Sequence, residues 1–309
     1  SAGVLGIDDP RPVQPDSLFN VFSVTKGITA GLVHWLADKG LIMYSLIVLV
    51  YTMLLLRYHY HAFGWLCGGI IERASGKKFQ EVLEEAFARP LGIEGEFYIG
   101  IPPGIKESRL ATLTIDAPDF IKFATFIDNQ KTSDTARMPS SFTFSMLENL
   151  IPTSNTLSFR RAIQPAANAH LSARALARYY ATLVDGGVVP TNTNEVVPGI
   201  FTKPKDKIHD AILGDGDYND LILPRGSFGL GFHRIFATNG SLTGFGHMGL
   251  GGATGYCDNK NRFAIGVTLN KCSSGGLTGE IIRLICSELD LPLPQEYAVS
   301  SEIPKPVFN

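Results

Sequence analysis

Cysteine is scarce in this chain of 309 residues, and so is charge. The four cysteines, Cys67, Cys257, Cys272 and Cys286, show neither the close spacing of a metal or redox motif nor the density of a disulfide-stapled scaffold. They read as reduced, partly buried thiols, which suits an intracellular protein and leaves the compartment open. Charged residues make up 18% against 45% hydrophobic, which supplies a sizeable core and excludes wholesale disorder. Lys plus Arg total 27 against 29 Asp plus Glu, a net charge of −2, with no arginine-rich stripe or basic tail, so a nucleic-acid partner has no electrostatic support. No basic n-region with a short apolar stretch opens the chain, so secretion has no support from this end. The start at Ser1, without a methionine, fits a fragment or a processed product. A long apolar span is also missing. Leu41 to Leu56, between Lys39 and Arg57, falls short of the roughly 20 apolar residues a membrane span needs. A buried helix is favoured there over membrane contact through 41–56.

What is present begins with helical periodicity. Ile28, Leu32, Trp35 and Leu36 predict a helix over Val21–Ala37, closed by Gly40. Phe63–Ala74 and Phe79–Phe87 form a second helical pair, punctuated by Ser75-Gly76 and ended by Pro90. Asp116–Asn129 and Phe142–Asn149 are weaker helical stretches, and Ser172 is a good N-cap for Ala173–Val184, with Gly186-Gly187 as the stop. Val188–Asp220 is rich in Pro, Asn and Asp and reads as a long irregular connection. After it the pattern changes to β: Asn239-Gly240 is a hairpin turn, Arg262–Leu269 is β-rich, and Thr278–Leu289 ends as a helix. A helix-rich middle followed by antiparallel strands argues for α+β. The expected organisation is an α/β lobe from 1–22 and 225–309 around a helix-rich lobe from 23–224.

Chemistry is concentrated at the head of the first helix. In Ser23-Val24-Thr25-Lys26 the serine and lysine share one helical face, so the amine can reach the hydroxyl. A lysine in a dry cleft loses its proton more easily and can serve as base, while helix N-terminal N–H groups favour developing negative charge. Alone the pair is a weak signal, because a chain of this length supplies about one by chance. A second pair, Ser75 to Lys78, sits in a polar break where Ser75 reads as an N-cap and the lysines as solvated. Two other patterns fail. Gly244-Phe245-Gly246-His247-Met248-Gly249 has dinucleotide-type spacing, yet β-rich sequence follows it rather than a helix. Asp215–Asp220 hints at a calcium loop but lacks the glycine and glutamate such a loop needs, so it reads as a solvated turn.

The flanks of Ser23, from Asp16 to Thr29, resemble the nucleophile segment of class C-like beta-lactamases, penicillin-binding proteins and related esterases. Tyr58-His59-Tyr60 before Phe63-Gly64-Trp65-Leu66 resembles the Tyr-x-Asn element, and His247-Met248-Gly249 resembles the third element, Lys-Thr-Gly or His-x-Gly. The three occur in the family's order. The resemblance implies a beta-lactamase/transpeptidase-like α+β fold with an antiparallel sheet flanked by helices. It implies a serine hydrolase in which Ser23 attacks a carbonyl, Lys26 and Tyr58 take and relay its proton, and His247 orients the substrate. The N–H groups of Ser23 and Leu250 would form the oxyanion hole, with Gly249 and Tyr60 beside the substrate. No metal or organic cofactor is needed.

The similarity is closest to the beta-lactamase-related domain that follows a UbiB-like kinase domain in plant proteins, carried by Gly69–Gly76, Lys77–Phe87 and Ala166–Gly187. It implies an upstream kinase-like domain as partner. Three departures bear on activity. About thirty residues separate Lys26 from Tyr58, a shortening between 38 and 58 that removes part of the cleft wall. Tyr60 stands at the asparagine place of Tyr-x-Asn, which removes a substrate hydrogen bond. The N-terminus is short, so one or two strands that flank the sheet in the family are expected to be absent. His-x-Gly leans toward esterase or peptidase chemistry on a small ester, amide or peptide substrate, more than toward beta-lactam hydrolysis. The alternative is a catalytically impaired binding or regulatory module.

Overall fold

The computed structural model describes residues 1–43, 60–116, 118–122, 125, 144–191, 197–221, 228–273 and 276–298. A short strand, β1 (Phe19–Asn20), leads into helix α1 (Val24–Asp38). The helix starts later than the expected Val21 because Phe22 is in a left-handed conformation at φ 44°, which no helix accommodates. Ile28, Leu32 and Leu36 are fully buried, but so is every residue from Val24 to Ala37, so α1 is a central helix enclosed on all sides. Lys26 is among them, an unusual place for an ammonium group.

Helix α2 (Ala62–Ser75) packs beside α1 and is followed by α3 (Phe79–Leu83), which widens into a π-turn over Glu84–Ala88. Gly76 separates α2 from α3 with φ 69°. Ser75 is not the N-cap of the second helix, as its sequence context predicts. It is the last residue of α2, where its hydroxyl donates to the Ile71 carbonyl at 2.7 Å. The lysines beside it are solvated as expected, Lys77 pairing with Glu85 on the surface.

The middle of the chain supplies β2 (Phe97–Ile99), β3 (Thr114–Ile115), α4 (Phe144–Ser154), α5 (Leu157–Arg161), β4 (Ala169–Leu171) and α6 (Ala173–Val184). β4 is the centre of a three-stranded sheet, antiparallel to β1 on one side and β2 on the other. The expected helix at 116–129 falls partly outside the described residues and is helical at 118–122. Ser172 caps α6 as expected, its hydroxyl accepting the Ala175 N–H at 3.0 Å. The segment from Val188 to Asp220 is not wholly irregular. It contains α7 (Lys205–Leu213) and a 3-10 turn at Gly216–Leu221. Pro204 precedes the first turn, Ile208, Ala211 and Ile212 bury one face, and Gly214 closes the helix at φ 74°. Only 9 residues long, α7 is hidden among turn formers.

The last third is an antiparallel meander of β5 (His233–Phe236), β6 (Leu242–Met248), β7 (Thr254–Asp258) and β8 (Phe263–Val267). Asn239-Gly240 makes the first hairpin turn, with Gly240 at φ 82°. β9 (Lys271–Cys272) pairs in parallel with β3, and α8 (Gly276–Glu288) closes the chain. α6 lies against β7 and β8 at two glycines that have no side chain to hold it off. A Cβ on Gly255 would come 2.5 Å from the Tyr180 ring, and one on Gly266 would come 2.8 Å from the Ala173 carbonyl oxygen. The glycines of Gly244-x-Gly lie inside β6, so they form no phosphate loop. All four cysteines are free and buried. The architecture is α+β, and one large core joins α1, α2, α3 and α6 to the inner face of the meander. Among the described residues, no helix is long and apolar enough to cross a membrane. Most of the 41–56 run lies outside those residues.

Candidate active site

The site begins with the strained turn that delivers Ser23. A positive φ at a bulky residue costs about 1–3 kcal/mol and persists only where its surroundings hold it. At Phe22 the holding groups are visible. The Asn20 side-chain oxygen accepts the Phe22 N–H at 2.9 Å, and Asn20 in turn donates to Asn168 at 3.1 Å. Asn168 is itself fixed by its amide donating to the Phe159 and Ala162 carbonyls, each at 2.6 Å. Ser23 then occupies the N-cap position of α1, but its side chain makes no capping hydrogen bond. The structural role usual for a serine there is therefore absent.

The Ser23 hydroxyl faces Lys26 instead. Lys26 Nζ is 3.0 Å from Ser23 Oγ and 2.8 Å from the Ala166 carbonyl oxygen. Burial pushes the lysine's pKa from its usual value near 10.5 down to about 7. A neutral amine in this position can donate one N–H to Ala166 and accept the Ser23 proton on its lone pair. That is the arrangement a general base needs.

Strand β6 brings the third element alongside. A Cβ on Gly27 would lie 2.6 Å from the Tyr180 hydroxyl of α6, so only glycine leaves room for that ring, and 3.4 Å from the His247 Cβ, an ordinary contact that sets β6 directly against α1. His247 is buried, and its Nδ1–H donates to the Met248 carbonyl at 2.8 Å. This fixes the tautomer and makes Nε2 an acceptor. Burial, with the Lys26 charge second, lowers its pKa to about 3, so the imidazole is neutral and no source of protons near neutral pH. The end of β6 meets the start of α1 at Gly249, where a Cβ would lie 2.2 Å from the Val21 carbonyl oxygen and 3.4 Å from the Ser23 nitrogen. The Gly249 N–H is given to the Ala253 carbonyl at 2.8 Å, and Leu250 follows it in the 3-10 turn after β6. We expect Gly249→Ala to push these two segments apart and lower kcat for ester hydrolysis about 100-fold, the scale of a 1 Å misplacement. Steady-state kinetics on folded variant protein measures this.

Of the residues singled out from the sequence, Ser23, Lys26, His247, Gly249 and Leu250 converge at the junction of α1 and β6. Tyr58 lies outside the described residues. Tyr60 is half-buried and immediately precedes the turn into α2. The pattern of residues did not reveal the Ala166 carbonyl, the Asn20–Asn168 pair, or His61 and Gln164. Their partners are far apart in the chain (140 positions between Lys26 and Ala166), and no local spacing encodes such a contact.

A partly exposed serine bonded to a buried lysine at a helix head, set against the end of an antiparallel strand, defines a class of protein. The Beta-lactamase family model matches residues 1–48 and 56–285, and the chain belongs to that family. The unmatched residues 49–55 fall within the apolar run after α1. Among characterised relatives, the chain is similar to the esterase/beta-lactamase LipL of Mycobacterium tuberculosis. The two are 27% identical over 319 aligned positions, covering 85% of this chain and 71% of LipL. Solved structures share the fold. A penicillin-binding protein homologue from Caulobacter crescentus superimposes with a TM-score of 0.63 at 21% identity, covering 88% of this chain and 82% of that one. A family VIII carboxylesterase gives 0.62 at 22% identity, with the same coverage.

Proposed function

We propose that this chain is a serine hydrolase that forms an acyl-enzyme on Ser23 from an ester, amide or peptide substrate, esterase- or peptidase-like more than a beta-lactamase. The observation that carries this reading is the buried Lys26 amine, 3.0 Å from the Ser23 hydroxyl and shifted to a pKa of about 7. Lys26 accepts the Ser23 proton as Oγ bonds to the substrate carbonyl carbon. The oxyanion then rests on the Ser23 and Leu250 N–H groups, where one such donor is typically worth about 3–4 kcal/mol. As the intermediate collapses, the proton passes to the leaving group, with Tyr58 as relay. Water then takes the acyl group from Ser23. Neutral His247 offers Nε2 to orient the substrate. Kinship with the domain that follows a UbiB-like kinase in plants belongs to the same reading, and rests on Gly69–Gly76, Lys77–Phe87 and Ala166–Gly187.

A fluorophosphonate probe tests the assignment: its mass is expected on Ser23 in folded protein, and absence of labelling there would sink it. The pH dependence follows from Lys26. The amine must be neutral to act as base, so kcat/KM for p-nitrophenyl acetate is expected to rise through pH about 7 and level off above it. A flat profile between pH 5 and 9 would remove Lys26 from that role. The second reading, a binding module that has lost turnover, draws on Tyr60 at the asparagine place and on the break in family similarity at 49–55. Turnover of p-nitrophenyl acetate that vanishes in Ser23→Ala excludes it.

A further inference from the structure

The carbonyl that grips Lys26 sits on a turn built by Gln164. The Gln164 backbone carbonyl accepts the N–H groups of Ala167 and Asn168 at 3.1 and 3.2 Å, which curls residues 164–168 and aims the Ala166 carbonyl at Lys26. Both neighbouring helices clamp this turn. From α1, the Thr29 hydroxyl donates to the Pro165 carbonyl at 2.6 Å. From α2, Gly64 presses so closely that a Cβ there would lie 2.5 Å from the Ala166 nitrogen. One turn earlier, at the head of α2, His61 meets the Gln164 side chain, with Nε2 of Gln164 3.2 Å from Nδ1 of His61. The other end of that carboxamide, Oε1, is buried and has no hydrogen-bond partner among the described residues. A half-satisfied buried amide is costly.

We propose that the His61–Gln164 pair is a positioning element for Lys26, holding from the surface the turn that carries the Ala166 carbonyl against Nζ. Among the described residues, the polar and titratable side chains near Lys26 include Ser23 on its own helix, His61 at the head of α2 and His247 from β6. Both histidines have lowered proton affinities, through burial first and the Lys26 charge second. Burial is the cause of Lys26's own lowered pKa. The role assigned to Lys26 rests on the serine hydrolase reading, whereas its environment does not.

The test is a titration of Lys26 by 13C NMR on full-length protein labelled at lysine Cε, in wild type, His61→Ala, His61→Asn and Gln164→Leu. Wild type is expected to titrate near pH 7. In His61→Ala and Gln164→Leu the midpoint is expected to rise by about one unit or more as water reaches Nζ. The acid limb of kcat/KM moves up with it, and kcat falls about tenfold with little change in KM. His61→Asn, whose carboxamide can replace the Nδ1 contact, restores most of both. A Lys26 midpoint unchanged in either loss variant that melts like wild type overturns the proposal. Failure of the fluorophosphonate to label Ser23 in wild type would defeat the hydrolase reading instead, and the titration would still decide this one.

Discussion

Replacing Ser23 with alanine is expected to lower kcat/KM for p-nitrophenyl acetate by a factor on the order of 10⁴ or more while leaving thermal melting unchanged. The two halves of this expectation come from one observation. A serine at a helix N-cap ordinarily accepts a backbone N–H from the first turn, and its loss costs about 1 kcal/mol. Ser23 makes no such bond, and its Oγ is engaged by Lys26 Nζ. Its removal therefore takes away the nucleophile without taking away a cap. Melting by circular dichroism and an ester-hydrolysis assay on the same preparation separate the two. A variant that loses stability but keeps activity would mean that Ser23 is an ordinary cap and that the chemistry lies elsewhere.

The second large effect concerns Lys26→Met, which is expected to be nearly inactive and more stable than wild type. Loss of a general base costs about 10²–10⁴-fold in rate. The gain in stability follows from linkage. The folded-state pKa of about 7 lies below the ordinary lysine value of 10.5, so the unfolded chain binds more protons across that interval. The penalty for burying Lys26 is therefore fully present below pH 7, shrinks as the pH rises from 7 toward 10.5, and disappears above it. At neutral pH it is on the order of 4 kcal/mol. Methionine fills a similar volume without a charge and relieves the penalty. Urea denaturation at pH 7 and at pH 10 should show a clear advantage for Lys26→Met at the lower pH and little at the higher. Equal stabilities at pH 7 would mean that Lys26 is not held neutral by burial.

The same strain appears in the left-handed Phe22 and in the half-satisfied Gln164 carboxamide. Three locally unfavourable features lie within one short stretch of space around Ser23. Many other described segments follow their local preferences: the Ser172 cap, the Gly76 and Gly214 helix stops, and the Asn239-Gly240 turn. Several broken local rules gathered at one place mark where function is expected to reside.

What the sequence determined by itself is local. Helical periodicity located α1, α2 and α6, the glycines and Ser172 marked their ends, and the turn residues marked the meander, because these signals depend on neighbours three or four positions away. The Ser23–Lys26 pair was legible for the same reason, and the short α7 and the placement of Ser75 were not, since α7 lies among turn formers and a Ser-Gly break between two helices can belong to the end of the first or the start of the second. Only the tertiary structure decided that Lys26 is buried and bonded to Ala166, that His247 is neutral with its tautomer fixed, that Gly249 seats the end of β6 against α1 and that Gly27 makes room for Tyr180. It also decided that Gln164 reaches His61. These facts depend on contacts between segments distant in the chain, and on the loss of water between them. A residue's proton affinity is a property of that enclosure rather than of its neighbours in sequence.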